Sequence, residues 1–370
     1  MEFRDLKAQY AALKDEIDQG IADVISSSHF IGGAPVKQLE QELAEYVGVK
    51  HCISCANGTD ALELALMAWG IGEGDAVIVP DFTFFSSGEV VSTVGATPVF
   101  VDVLEATFNI DPSQIVSACE LARENGLEPK AVVAVDLFGQ PADYGEIREI
   151  CEKQGLLLLE DGAQGFGGSI DGKRACSFGD ISTTSFFPAK PLGCYGDGGA
   201  VFTDNDEWAA LIRSIAVHGK GSMKYDNVRL GMNSRLDTIQ AAILLPKFHA
   251  FRDYELDAVN ERASWYHEAL ADTDLKLPEV RDGYVSSWAQ YTVILPEGTD
   301  RDALQAKLKE AGIPTNVYYP KPMHEQLAFE GRHLSLENPT TQKLCKAVLS
   351  LPMGPYIKEC DMTRVEHCLQ

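Results

Sequence analysis

Apolar side chains return along the chain in two rhythms. In residues 4–27 they recur every three or four positions, which predicts an amphipathic helix, and the same spacing at 36–47 predicts a second. Compact apolar runs without that spacing predict buried strands, at 76–79, 97–103, 131–135, 155–159 and 199–203. Helical patterns lie between or after these runs, at 58–69, 112–124, 143–154 and 206–217. This alternation predicts an α/β fold in which helices wrap a mainly parallel sheet.

The pattern changes after residue 250. A helix is predicted to end at Leu245, because Pro246 follows it, and a long helical segment at 250–271 leads into a second unit. That unit is predicted to contain short strands and helices, at Ala289–Leu295, 301–311, Thr315–Tyr319 and 359–369. We therefore expect a large domain at 1–250 and a smaller C-terminal α+β domain at 251–370.

Composition narrows the classes of partner. The 370 residues carry a net charge of −24, so bulk electrostatics argue against binding to nucleic acid or to an anionic membrane. No apolar run approaches the ~18 residues of a membrane span, and the N-terminus lacks an export signal. Nine scattered cysteines, an odd number, favour reduced thiols, and we interpret Cys52 and Cys55 as strand residues. We expect a cytoplasmic protein.

Lys190 lies in a stretch that is otherwise uncharged. No other charged residue is found within six positions of it, and its neighbours include two phenylalanines, two prolines and several glycines. Most lysines are solvated surface residues, but apolar surroundings lower the pKa of an amine. An amine of that kind can attack a carbonyl group and hold it as a Schiff base.

Two further stretches sharpen this hypothesis. The apolar run before Glu160 and Asp161 predicts a strand with Asp161 at its carboxyl end, where open α/β sheets bind ligands. The amides of Gly58 and Thr59 follow a predicted strand and open a helix, which suits an anion. Alone, these features indicate a helix cap and an ordinary turn. Together with Lys190 they match the aldehyde, ring nitrogen and phosphate of pyridoxal 5'-phosphate.

The chain resembles the DegT/StrS family of pyridoxal-phosphate-dependent sugar aminotransferases. Each matching block is a weak signal alone, but the blocks occur in family order over essentially the whole chain. They are Asn57–Leu62, Pro80–Phe84, Glu160–Gln164, Ser185–Lys190, Gly196–Gly199 and Gly231–Ala242. The resemblance implies the fold-type-I architecture, with a large, mostly parallel-sheet lobe and a small C-terminal α+β lobe.

The resemblance also implies residue roles. Lys190 would bind the cofactor and move a proton as general base and then acid, while Asp161 keeps the ring nitrogen protonated. Phe84 would stack on the ring, and Gln164 would contact its oxygen. The phosphate would be held by Gly58, Thr59, Ser185 and, across a homodimer with composite sites, Asn233. Substrate contacts would come from Arg235, from Tyr318 and Tyr319, and from His218 in the Gly-rich basic loop 218–224.

Within the family, the chain looks most like enzymes that aminate the 3-oxo position of a UDP-linked N-acetyl-hexosaminuronate. This likeness implies transfer of an amino group from L-glutamate to a keto nucleotide sugar for bacterial surface polysaccharide, such as lipopolysaccharide O-antigen. Gly162 stands where the family commonly has Ala, and Asp197 where Glu is common; both leave the chemistry untouched. Tyr318 stands where close relatives often have His, which bears on the sugar contacts.

Several alternatives remain open. The oxo position could be C4, and the nucleotide could be dTDP. A sugar-dehydrating branch of the family replaces the lysine by histidine, so Lys190 argues against it. An amino-acid aminotransferase would need a small-lobe arginine for the substrate carboxylate, for which Arg281, Arg301 and Arg332 are candidates. A non-enzymatic regulator on the same fold would not react with glutamate. A nicotinamide enzyme is disfavoured, because no Gly-x-Gly-x-x-Gly turn opens a helix after a first strand.

Overall fold

The computed structural model describes residues 1–223 and 225–369, and its strands form one large sheet and two small ones. The strands are β1 His51–Cys55, β2 Asp75–Pro80, β3 Thr97–Val101, β4 Glu128–Val135, β5 Leu157–Asp161, β6 Ser169–Ile170, β7 Lys173–Arg174, β8 Ile181–Ser185, β9 Gly199–Thr203, β10 Tyr284–Val285, β11 Tyr291–Ile294, β12 Leu334–Ser335 and β13 Val348–Leu351. The large sheet has the order β1-β9-β8-β5-β4-β2-β3-β12. Only β9 runs against its neighbours, so the predicted mainly parallel sheet is confirmed.

Helices cover both faces of this sheet. They are α1 Leu6–Ser27, α2 Ala34–Val47, α3 Gly58–Ala68, α4 Ser86–Thr93, α5 Ile115–Glu124, α6 Tyr144–Gln154, α7 Asp206–Ile215, α8 Thr238–Ala250, α9 Leu256–Ala269, α10 Arg301–Glu310, α11 Pro339–Ala347 and α12 Glu359–Leu369. Alternate residues of a strand belong to different cores. In β2, Val77 and Val79 pack with α3 and α4, whereas Ala76 and Ile78 pack with α5 and α6. No helix of the described part is long and apolar enough to cross a membrane.

The C-terminal third has a core of its own. The antiparallel pair β11 and β13 packs with α9, α10 and α12 in a separate apolar cluster. The short strand β12 returns to the large sheet and pairs with β3 in parallel. The division into domains at 1–250 and 251–370 stays a prediction.

The predicted end of a helix at Leu245 is wrong. Pro246 lies inside α8, which runs on to Ala250 and continues through a π-helical segment, Phe251–Glu255, into α9. Proline lacks the N–H that the Ala242 carbonyl would accept, at a cost of about 3 kcal/mol. Helix α1 packs so closely here that a Cβ on Gly20 would lie 3.2 Å from that carbonyl oxygen. The buried length of α8 therefore outweighs the missing hydrogen bond.

The predicted strand at Thr315–Tyr319 is also wrong. Only Asn316 pairs with a neighbour, through a single antiparallel bridge to Ser350. Beyond it, Tyr319 packs against Phe82, with ring centroids 6.0 Å apart. The Tyr319 ring is thus buried against the large lobe instead of the segment continuing as a paired strand. This contact brings the segment to the carboxyl ends of the sheet strands.

Candidate active site

Lys190 lies in the turn that follows β8. Its backbone N–H donates to the Phe187 carbonyl at 2.9 Å, and its Nζ lies 6.0 Å from the centroid of the Phe84 ring. Among the described residues, no hydrogen bond or ion pair engages this amine. Burial lowers the pKa of Lys190 to about 8, while the Asp161 carboxylate acts in the opposite direction. About a tenth of the amine is therefore neutral at pH 7, far more than for an ordinary lysine, and able to act as a nucleophile or base.

Asp161 is buried at the carboxyl end of β5, as predicted. Its carboxylate accepts hydrogen bonds from the Ser87 hydroxyl at 2.8 Å and from the Ala163 N–H at 3.2 Å. Burial raises the pKa of Asp161, and the bond from Ser87 opposes that rise. In the described part of the chain no cation pairs directly with this carboxylate. A buried acid with spare acceptor capacity fits a protonated pyridine nitrogen.

The start of α3 forms a cradle against β8. The Asn57 side chain caps the helix by accepting from the Asp60 N–H at 2.8 Å. A Cβ on Gly58 would lie only 2.6 Å from the Ser185 Cβ, so glycine is needed for this close approach. The Thr59 hydroxyl lies 2.7 Å from that of Ser86. First-turn amides close to a serine hydroxyl fit a phosphate group.

Contacts run from the Phe84 ring near Lys190 through Tyr319 to the Gln164 amide. Gln164 accepts from the Phe138 N–H at 2.8 Å and donates to the Tyr319 hydroxyl at 3.2 Å. Tyr319 also contacts Phe84, with ring centroids 6.3 Å apart. Phe84 itself is 52% exposed, which leaves a ring face free for stacking on a planar ligand.

The remaining predicted site residues do not converge on Lys190 within this chain. Asn233 and Arg235 are exposed, and their side chains hydrogen-bond to each other at 2.6 Å. His218 is exposed at the base of its loop, and its N–H donates to the Met232 carbonyl. Tyr318 packs edge-on against Phe3 and against Tyr319, with ring centroids 6.3 Å and 5.7 Å apart. Lys224, the last residue of the predicted loop 218–224, lies outside the described residues.

Two serines at the site were not predicted. Ser87, at the start of α4, holds Asp161 and is itself 3.0 Å from the Thr83 hydroxyl. Ser86 of the same turn holds Thr59. Their sequence signal was the Ser-Ser pair one residue beyond the Pro80–Phe84 block, although α4 was not predicted.

Residues 11–370 match the model of the DegT/DnrJ/EryC1/StrS aminotransferase family. The chain belongs to this family. It is 46% identical over 96% of both chains to the UDP-2-acetamido-2-deoxy-3-oxo-D-glucuronate aminotransferase of Pseudomonas aeruginosa. It is also 44% identical, over 96% of this chain and 94% of the relative, to a protein of Geobacillus stearothermophilus named as a pleiotropic regulatory protein.

Solved structures agree with this assignment. A family aminotransferase from Brucella abortus matches with a TM-score of 0.96 at 46% identity, covering 100% of this chain and 98% of that one. NtdA from Bacillus subtilis, solved with the cofactor PMP, matches at 0.87 and 30% identity over 97% and 81% of the two chains. The chain is therefore a fold-type-I transaminase, and its cofactor is pyridoxal 5'-phosphate.

Proposed function

We propose that the chain transfers an amino group from L-glutamate to C3 of a UDP-linked 3-oxo-N-acetyl-hexosaminuronate, in bacterial surface-polysaccharide synthesis. The observation that carries the chemistry is the Lys190 amine, which has no hydrogen-bond or ion-pair partner among the described residues, lies 6.0 Å from the exposed Phe84 ring and is influenced by the buried Asp161 carboxylate. The name of the Pseudomonas aeruginosa relative supports the choice of substrate. A 4-oxo or dTDP-linked sugar is the alternative. Tyr318 bears on this choice, because it stands where close relatives often have His among the residues expected to contact the substrate.

We assign the proton transfers to Lys190. When bound, the cofactor stabilises negative charge on the carbon that loses its proton. The Lys190 amine, partly neutral near pH 8, takes that proton from the donor and returns it one position away. Asp161 holds a proton on the ring nitrogen, and Ser87 fixes the carboxylate for that task. In the second half of the reaction the same groups work in reverse on the keto sugar.

Binding and orientation are assigned to the groups around them. The amides of Gly58 and Thr59 and the Ser185 hydroxyl hold the phosphate. Phe84 stacks on the ring, and Gln164, held by Phe138 and Tyr319, contacts the ring oxygen.

A homodimer with composite sites would give roles to the exposed residues. The segment 218–231 presents several apolar side chains to solvent, among them Met223, Val228 and Leu230 at 71%, 54% and 91% exposure. Exposed apolar clusters of this kind mark protein interfaces. In such a dimer Asn233 reaches the phosphate bound by the other subunit, and Arg235 and His218 approach the sugar there. All nine cysteines are free thiols, which supports a cytoplasmic location.

The test is a visible absorbance spectrum of the purified protein before and after excess L-glutamate. We expect a yellow protein that glutamate bleaches, and a Lys190→Ala variant that lacks this response. Borohydride treatment followed by peptide mass spectrometry should find the cofactor on Lys190. A yellow protein that glutamate leaves unchanged would argue for another donor or for a regulatory role.

The acceptor is then identified separately. The glutamate-treated protein should regain its colour with the 3-oxo UDP-uronate and not with a 4-oxo dTDP sugar. Recovery with the dTDP sugar alone would overturn the substrate assignment and leave the lysine chemistry intact.

A further inference from the structure

The N-terminal segment before α1 reaches the active site. The Phe3 carbonyl accepts from the Met353 N–H at 3.0 Å, and the Phe3 ring packs edge-on against Tyr318, with centroids 6.3 Å apart. The Asp5 side chain then caps α1 through the Ala8 N–H at 2.9 Å. Phe3 is therefore tied to the C-terminal unit at Met353 and Tyr318, and Asp5 is tied to α1, so the intervening Arg4 has a fixed position.

Arg4 contacts the residue that directly follows Lys190. Its Nη2 donates to the Pro191 carbonyl at 3.3 Å. Its Nη1 is buried and, among the described residues, has no hydrogen-bond partner. The nearby Glu255 carboxylate already accepts from Gln9 at 3.0 Å and from Tyr356 at 2.7 Å. No direct ion pair therefore neutralises Arg4 within the described part of the chain.

We propose that Arg4 is a positioning residue for the transamination: its guanidinium fixes the turn that follows Lys190 and places a buried positive charge near the reactive amine. This inference rests on the proposed role of Lys190. Such an arginine would fix the backbone next to the reactive lysine and favour its neutral amine. The lysine could then act as a base, although the arginine does not touch the substrate.

The charged groups around the site act on the ionisation of Lys190 in opposite directions. Asp161, on β5, favours the protonated Lys190 amine, whereas Arg4 opposes it. Burial lowers the pKa of Arg4 to about 10, with Glu255 acting against the decrease, so Arg4 stays charged at neutral pH. Lys247 of α8 lies behind Arg4 with its amine 4.7 Å from the Tyr195 ring centroid. Burial, with a contribution from Arg4, lowers the pKa of Lys247 to about 8, while Glu255 and Cys194 oppose the decrease.

Two substitutions separate the hydrogen bond from the charge. Arg4→Gln keeps an N–H donor for the Pro191 carbonyl but removes the charge, whereas Arg4→Lys keeps the charge. Lys7→Gln is the matched control, because Lys7 lies on the first turn of α1, is exposed and, within the described part of the chain, forms an ion pair with Glu2 alone. Each full-length variant is titrated twice: by the pH dependence of its visible absorbance with cofactor bound, and by competitive acetylation of Lys190 after the cofactor is removed.

We expect Arg4→Gln to raise the midpoint pH of Lys190 by roughly 0.5 to 1, as removal of one nearby positive charge would. Acetylation of Lys190 at pH 7 should then slow about threefold to tenfold, since the neutral fraction falls by that factor. Arg4→Lys should restore most of the wild-type midpoint, and Lys7→Gln should not change it. Glu255→Gln should lower the midpoint, because it leaves the Arg4 charge less compensated.

Three results would overturn the inference. A lower melting temperature of Arg4→Gln with an unchanged Lys190 midpoint would make Arg4 merely structural. If Arg4→Gln does not fold, an unchanged or raised midpoint in Glu255→Gln would likewise remove the charge effect of Arg4 on Lys190. Failure to find the cofactor on Lys190 after borohydride treatment would instead overturn the proposed function, and this inference with it.

Discussion

Ser87→Ala tests the link between α4 and the acid of the site. The serine is fully buried, and its hydroxyl donates to the Asp161 carboxylate at 2.8 Å. Removing it leaves this buried carboxylate with the Ala163 N–H as its remaining hydrogen bond among the described residues. A hydrogen bond to a charged group contributes about 1.5–3 kcal/mol, and one pKa unit corresponds to about 1.4 kcal/mol. The pKa of Asp161 should therefore rise by roughly one to two units.

The direction of the effect on activity follows from the role of the ionised carboxylate. Asp161 must be ionised to hold a proton on the ring nitrogen, so a higher pKa moves the loss of activity at acid pH toward neutral pH. The assay is the rate of bleaching by L-glutamate in a stopped-flow experiment across pH. Ser87→Ala should shift the acid limb upward by about one to two pH units, so that at a pH on this limb the reaction slows by on the order of tenfold or more.

The control variant comes from the same helix. The Ser92 hydroxyl is buried and has no hydrogen-bond partner among the described residues, so Ser92→Ala removes the same atoms without touching Asp161. In Ser92→Ala the rate of bleaching should fall at the same acid pH as in the wild type. If the same is true of Ser87→Ala, the hydrogen bond does not control the ionisation of Asp161 and the reasoning is refuted.

Three further substitutions test other parts of the account. In Gly58→Ala the new Cβ would lie 2.6 Å from the Ser185 Cβ. Overpacking of about 1–3 kcal/mol should lower cofactor affinity in equilibrium dialysis by roughly fivefold to 150-fold; unchanged affinity would remove the phosphate cradle. Burial and the neighbouring Glu160, which accepts four hydrogen bonds, raise the pKa of Asp136, so stability is lost as pH rises through that value. Asp136→Asn should therefore flatten the decline of the melting temperature as pH rises from about 4, the ordinary carboxyl pKa, toward the raised pKa of Asp136, and a decline equal to wild type would contradict the pairing. Arg235→Ala should weaken binding of the acidic sugar by about 1–3 kcal/mol while glutamate bleaching is kept; an unchanged KM for the sugar would remove Arg235 from the site.

Short sequence patterns predicted most of the elements that position the site residues. The apolar run before Asp161 predicted a strand end, and the buried β5 places the carboxylate there because both faces of the sheet are covered. The Asn57-Gly58-Thr59 turn predicted a helix start, and the Asn57 cap with the Gly58 contact to Ser185 explains it. In each case the signal lies in consecutive residues whose geometry is set by the backbone.

The features that sequence reasoning missed depend on partners distant in the chain. Pro246 does not end α8 because α1, more than 200 residues earlier, packs on it. Tyr319 leaves the predicted strand to pack against Phe82, and Arg4 reaches Pro191 across 187 positions. Nothing in the residues around Arg4 indicates that contact, because tertiary packing creates it.

The most direct test of the central claim follows the nitrogen atom. The purified protein is incubated with [15N]glutamate and the 3-oxo UDP-N-acetyl-hexosaminuronate, and the sugar is examined by mass spectrometry, with Lys190→Ala alongside. The account predicts a UDP-amino sugar that carries one 15N in the wild-type reaction and none in the variant. Absence of labelled sugar from a wild-type protein that holds its cofactor, or equal labelling with Lys190→Ala, would contradict it.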